Sequence, residues 1–115
     1  MLFKNSATAQ KCIIFAYNST TGAAVTGDTA NITAFISKDG ATGVASNDVN
    51  PAPITNMAGF YAFDLTQAET NCDLFALYAT SANALIAPVI AYTTGGAVPY
   101  AVAGAANGLF IAGSN

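Results

Sequence analysis

Residues 73–80 alternate with a period of two, Phe75, Leu77 and Ala79 on one side of an extended chain and Leu74, Ala76 and Tyr78 on the other. Residues 11–17 repeat the pattern, with Ile13, Phe15 and Tyr17 against Cys12, Ile14 and Ala16. Both sides of that strand are apolar, which predicts cover on both of its faces. A third strand is expected over residues 30–37, where Ile32, Ala34 and Ile36 alternate with Thr33 and Phe35, and a fourth over residues 60–65. The last strand of the core is expected over residues 85–93, interrupted by Pro88, which has no backbone donor and so argues for a sheet edge or a bulge there.

Between these runs the punctuation is that of turns. Asn18-Ser19-Thr20-Thr21-Gly22 is a turn by composition, and Asn83-Ala84 another. Lys38-Asp39-Gly40 closes the third strand, because Asp-Gly adopts positive backbone angles at little cost. Residues 41–53 form a long surface loop with at most a short edge strand near residues 43–45. Thr66-Gln67-Ala68-Glu69 matches a capping box, in which the hydroxyl accepts from the backbone of the glutamate and the glutamate reaches back. It opens a short helical turn over about residues 66–71.

Short strands with turn signals and a single helical turn predict an all-β fold, an antiparallel β-sandwich of about immunoglobulin size. Residues 1–10 read as an N-terminal arm, residues 11–94 as the sandwich, and residues 95–115 as an apolar extension rich in alanine and glycine. That extension wants burial, on a neighbouring subunit or on its own sheet. The expected partner interface is Leu2 and Phe3 in the first arm and Val98, Tyr100, Leu109, Phe110 and Ile111 in the second.

Hydrophobic residues make up 53% of the 115-residue chain and charged residues only 8%, against about 25% charged in an ordinary soluble domain. So little charge predicts a surface largely covered by neighbours. The net charge of −3 arises from Asp28, Asp39, Asp48, Asp64, Glu69 and Asp73 against Lys4, Lys11 and Lys38. Three scattered lysines without an arginine cannot neutralise a phosphate backbone, so nucleic acid is not an expected partner. No basic patch would attract anionic lipid, and no run approaches the roughly 18 apolar residues of a membrane span. The first residues lack the apolar core of a secretion signal, so synthesis in a reducing cytoplasm is expected. There Cys12 and Cys72 are expected as buried free thiols. Two cysteines and no histidine are too few for structural zinc.

The chemistry available is sparse. Without histidine, no histidine-assisted serine or cysteine nucleophile can be built. A lysine-assisted serine has only Lys38, in a turn, and Lys4 and Lys11, near the start. Asp64, Glu69 and Asp73 could form a glycosidase-like pair or a calcium site, but capping and solvation explain them better, and no Asp-x-Asp-x-Asp-Gly run occurs. Phe60, Tyr61, Phe63, Phe75 and Tyr78 could stack on sugars or bases, though at strand spacing they read as core. No enzymatic activity and no cofactor are expected.

Three segments carry a resemblance. Thr21-Gly22, then residues 32–35 followed by the hairpin Ile36-Ser37-Lys38-Asp39-Gly40, then Gly59-Phe60-Tyr61 with Asp64-Leu65-Thr66-Gln67-Ala68-Glu69-Thr70-Asn71, followed by a strand, resemble a module common in tailed-bacteriophage virion proteins. The likeness covers residues 21–80, and its motifs are structural. It implies an immunoglobulin-like β-sandwich used as a building or decorating piece of a phage particle, with capsid decoration or cement favoured; the apolar tail departs from the module's usual setting. The implied partners are other virion proteins, the major capsid protein first, and further copies of the chain, as a trimer if capsid symmetry sets the number. The implied location is the virion, after synthesis in the host cytoplasm. The alternative is a neck, tail or tail-fibre accessory that binds carbohydrate, for which Tyr92 and Tyr100 are the best stacking candidates.

Overall fold

The computed structural model describes residues 2–94, and they form two β-sheets packed face to face. The strands are β1 (Leu2–Phe3), β2 (Gln10–Tyr17), β3 (Thr33–Lys38), β4 (Val44–Ala45), β5 (Ala52–Pro53), β6 (Phe60–Leu65), β7 (Leu74–Thr80), β8 (Leu85–Ile86) and β9 (Val89–Thr94). One sheet has the order β1-β9-β7-β3-β4 and the other β5-β6-β2-β8. All pairings are antiparallel except β1 with β9, which is parallel.

The core is made by the side chains that the period of two sends inward. Cys12, Ile14 and Ala16 of β2 face Ile32, Ala34 and Ile36 around β3 and Phe75, Leu77 and Ala79 of β7, all buried. Each large side chain removed from water here contributes about 1.5–3 kcal/mol. Tyr61 and Phe63 fill the space between them. Tyr61 brings a hydroxyl inside, and both of its roles are used: it accepts from the Asp28 backbone N–H (3.1 Å) and donates to the Val25 carbonyl (2.7 Å).

The turns follow their local chemistry. Asp39 and Gly40 both take positive φ, 55° and 79°, and turn the chain from β3 towards the short edge strand β4. The Asp39 carboxylate then accepts from the backbone of Asp73 and Leu74, both at 2.9 Å, tying this turn to the start of β7. The capping box forms as expected: the Glu69 N–H donates to Thr66 Oγ1 (3.2 Å) and the Thr66 N–H to Glu69 Oε1 (2.9 Å), opening the 3-10 turn Ala68–Thr70.

Four expectations change. The loop over residues 41–53, expected to hold at most a short edge strand near residues 43–45, also contains β5, which pairs with β6. The run over residues 85–93 is not one strand: β8 pairs with β2 in one sheet, and β9 pairs with β7 in the other. Pro88 lies at the crossing, where a missing donor costs nothing because neither ladder needs one. Residues 30–31 belong to a 3-10 turn, Thr29–Asn31, and not to β3. Of the segment read as an N-terminal arm, Leu2–Phe3 forms β1 and is held against the sandwich. The Gln10 side chain grips the Phe3 backbone from both sides, accepting from its N–H (2.7 Å) and donating to its carbonyl (2.9 Å). Lys4 donates its N–H to the Thr94 carbonyl (2.6 Å) and its ammonium to Asp73 (2.9 Å).

Candidate functional site

The inward positions are filled by the core, so function falls to the outer faces of the two sheets. On the four-stranded sheet, the cross-strand pairs pointing outward are Lys11–Asp64, Ile13–Ala62, Phe15–Phe60 and Tyr17–Leu85. Only the first pair is charged, and it closes as an ion pair at one end. The rest is apolar. The Phe15 and Phe60 rings lie 4.9 Å apart between centroids, and Phe15 stacks on Tyr17 at 6.0 Å. Ile13 and Leu85, each about half exposed (51% and 50%), flank this aromatic cluster. The two-sided cover expected for β2 is therefore present on its inner side only among the described residues. Beside Phe60 lies a cleft of about 410 Å³, lined by Thr26, Ile54, Asn56, Met57 and Tyr61 among others.

Among the described residues, the outward strand positions of the five-stranded sheet carry no charged side chain. Phe35 pairs with Tyr78 across β3 and β7, and Ile90 and Tyr92 of β9 stand opposite Ala76 and Leu74. Phe3 of β1 completes the row beside Thr94. Exposure is 52% for Phe35, 58% for Tyr78, 60% for Phe3, 68% for Ile90 and 72% for Tyr92. With about 150–250 Å² for each large side chain, they present on the order of 500 Å² of apolar area, at the upper end of what a soluble monomer shows in one patch.

Of the residues expected at an interface, Leu2 is partly buried and packs on the core, while Phe3 lies on this outer face. Val98, Tyr100, Leu109, Phe110 and Ile111 lie outside the described residues. Tyr92 is exposed, as a stacking role requires, and Tyr100 again lies outside the described residues. Tyr78, expected in the core with the other strand aromatics, is a surface residue instead. The alternation of β7 already implied this, since Phe75, Leu77 and Ala79 take the other side. Tyr61, Phe63 and Phe75 are core, as expected.

The carboxylates are each engaged by their own donor. Asp64 pairs with Lys11, Asp73 with Lys4, and Glu69 accepts from the backbone of Thr66 and, through Oε2, of Asn47 (2.7 Å). Among the described residues, the one carboxylate drawn inside is Asp28, which the sequence alone counts only towards the net charge. It accepts from Ser81 Oγ, from Asn83 Nδ2 (2.9 Å) and from Asn31 Nδ2 (2.9 Å). Burial works to raise the carboxyl, but donation from Asn83, Ser81 and Asn31 outweighs it and holds the group below its ordinary range. Two of these donors, Ser81 and Asn83, lie more than fifty positions away, and no local signal announces them. Cys12 and Cys72 are buried and free, and burial pushes the Cys12 thiol up to about 11.

Among the described residues, no three acidic or cysteine side chains are grouped to hold a metal ion, and no helix is long and apolar enough to cross a membrane. Comparison with protein-family models, with curated proteins and with solved structures finds no match to this chain.

Proposed function

We propose that this protein is a non-enzymatic structural protein of a bacteriophage virion, an immunoglobulin-like sandwich that decorates and stabilises the capsid shell. The observation that carries the reading is the chemistry of the outer faces. Where a soluble monomer places charge, this sandwich presents Ile13, Phe15 and Leu85 on one sheet and Phe35, Tyr78, Ile90 and Tyr92 on the other. Such faces suit burial against other protein, at about 25 cal/mol per Å² of apolar surface removed from water.

Two further features support it. The orders β5-β6-β2 and β3-β7-β9 follow those of strands D-E-B and C-F-G in the immunoglobulin fold. The departure is β8, which occupies the place beside β2 where that fold has its first strand. The segments behind the phage-module resemblance are the Asp39-Gly40 turn, the β6 strand and the capping box, and each has its motif's structural role here. The partner is the major capsid protein, met by the aromatic cluster of the four-stranded sheet, and reactive side chains play no part.

The test is made on particles. Deleting the protein from the phage that encodes it should yield particles that release their DNA at lower temperature, and adding the purified chain should restore them. A chain carrying Ile13→Lys and Leu85→Lys, shown by circular dichroism to be folded, should fail to restore them. Absence of the protein from purified particles, or particles equally stable without it, defeats the reading. Binding to glycans with no effect on the shell would favour the tail-fibre alternative.

A further inference from the structure

Strand β2 runs for eight residues, but on the side away from β6 the short strand β8 covers only Ala16 and Tyr17. The Ala16 N–H donates to the Gly59 carbonyl (2.8 Å), in line with the β6 ladder. Alternate residues of a strand turn their backbone groups to opposite edges, so Cys12 and Ile14 also bond to β6, while Lys11 and Ile13 point the other way. Among the described residues, nothing pairs with the N–H and C=O of those two. We propose that two copies of this chain associate through this edge, β2 against β2 in antiparallel pairing, so that their four-stranded sheets run on as one.

Open edges are usually guarded. The strands at the sheet margins, β1, β4, β5 and β8, are each two residues long, and β5 contains Pro53. The open stretch of β2 has neither guard. Its one charge, Lys11, is drawn across to Asp64 of β6, away from the open side. Ile13 beside it is apolar and about half exposed.

The occupant follows from the edge itself. Unpaired strand backbone is met by another extended strand, and a twofold axis presents each copy with the same edge reversed. β8 sets the register. An axis centred on Ile13 would put Gln10 of one copy where Ile86 of the other already pairs with Ala16. Centring it on Cys12 avoids that collision and sets Lys11 opposite Ile13 in both directions. Each such pair exchanges two bonds, which uses every N–H and C=O group of Lys11 and Ile13 on both copies. The lysines lie opposite isoleucines and not each other, so no like charges meet. A strand of unrelated sequence could make some of these bonds, but a second copy matches them all by symmetry. The seam is short, below the roughly 800 Å² per partner of a standard interface, so association depends on concentration. It closes at two copies and joins their Phe15–Phe60 clusters into one outer face. The pairing stands on strand geometry whether or not the virion reading holds.

Amide exchange read by nuclear magnetic resonance on the full-length chain, from about 50 μM to about 2 mM, spans the range of weak association. The Lys11 and Ile13 amides should exchange freely in the dilute sample and about fivefold or more slowly in the concentrated one, with Cys12 and Ile14 protected throughout. Sedimentation over the same range should show monomer passing to dimer. Ile13→Pro removes an edge donor and leaves the β6 ladder untouched; shown by circular dichroism to be folded, it should remain monomeric. Ile13→Ala, which keeps the N–H, should still dimerise. Free exchange of Lys11 and Ile13 at every concentration overturns the proposal, whatever the proline variant does. So does protection that dilution does not relieve, which would mean cover from within the chain. A dimer that survives Ile13→Pro, or one lost as fully with Ile13→Ala, would place the contact elsewhere and overturns it too.

Discussion

Replacing Gly59 by alanine should cost the fold about 2–5 kcal/mol, far more than a loop glycine ordinarily would. Gly59 has φ +85°, and a non-glycine residue held there loses about 1–2 kcal/mol. Space is the larger matter. An added Cβ would lie 2.8 Å from the Ala24 Cβ, 2.8 Å from Phe15 Cε1 and 3.0 Å from the Ala16 carbonyl oxygen. The Phe15 ring edge can swing away, but the other two are fixed: Ala16 accepts from Val25 through that oxygen (2.9 Å) and donates its own N–H to the Gly59 carbonyl (2.8 Å). Overpacking of that kind costs about 1–3 kcal/mol more. Gly40 provides the control, because it has a similar φ of +79° with nothing within 4 Å of the added carbon. Gly40→Ala should therefore show the backbone cost alone, about 1–2 kcal/mol. Urea unfolding followed by far-ultraviolet dichroism measures both variants. The midpoint for Gly59→Ala should fall well below that for Gly40→Ala with the m-value unchanged, and the melting temperature should drop by about 10 °C or more. Equal midpoints for the two variants would refute the steric reasoning.

Asp28→Asn should destabilise the protein by about 2–3 kcal/mol at neutral pH, because an amide presents a donor where three donors already converge. The folded Asp28 carboxyl holds its proton less tightly than the unfolded one, so its contribution is complete above about pH 3.9 and is lost as the pH falls through the lower folded value. Denaturation midpoints measured from pH 6 downward should thus fall less steeply for Asp28→Asn than for the parent, with Asp39, also lowered by its bonds to the Leu74 and Asp73 backbone, supplying the remaining slope. Glu69→Ala should cost about 1–2 kcal/mol through loss of the Thr66 and Asn47 contacts, and Glu69→Gln less than half of that in the same urea titration. Ellman's reagent at pH 8 should label neither Cys12 nor Cys72 in the native protein and both in denaturant. Rapid native labelling of Cys12 would contradict its burial.

Much of the sandwich is legible in the chain because its signals are local. The alternation of β7, the Asp39-Gly40 turn and the reciprocal bonds of Thr66 and Glu69 each depend on residues within a few positions of one another. What sequence reading could not supply depends on distant partners. Nothing near Asp28 says that Ser81 and Asn83 will meet it, so it reads as one more loop charge. The periodicity of residues 85–93 continues through Pro88 although the chain changes sheets there, since a period of two specifies faces and not neighbours. The strand β1 is too short to have a pattern and exists only through β9 and Gln10. The candidate site was half legible. Apolar residues on both sides of β2 were plain, but two-sided cover and an exposed docking face give the same sequence pattern, and only the arrangement of the second sheet separates them.

The parallel pairing of β1 with β9 also fixes how this protein would bear mechanical load. Chain entry at Leu2 and exit at Thr94 lie side by side, with Leu2 opposite Thr93. Tension between the two ends would pull these strands along their length in opposite directions. The bonds joining them, including that from the Lys4 N–H to Thr94, would then be strained in shear and together, not peeled apart one at a time. A domain held at both ends by its neighbours would yield abruptly, at a force set by this short seam, while the hydrophobic interior behind it remained intact.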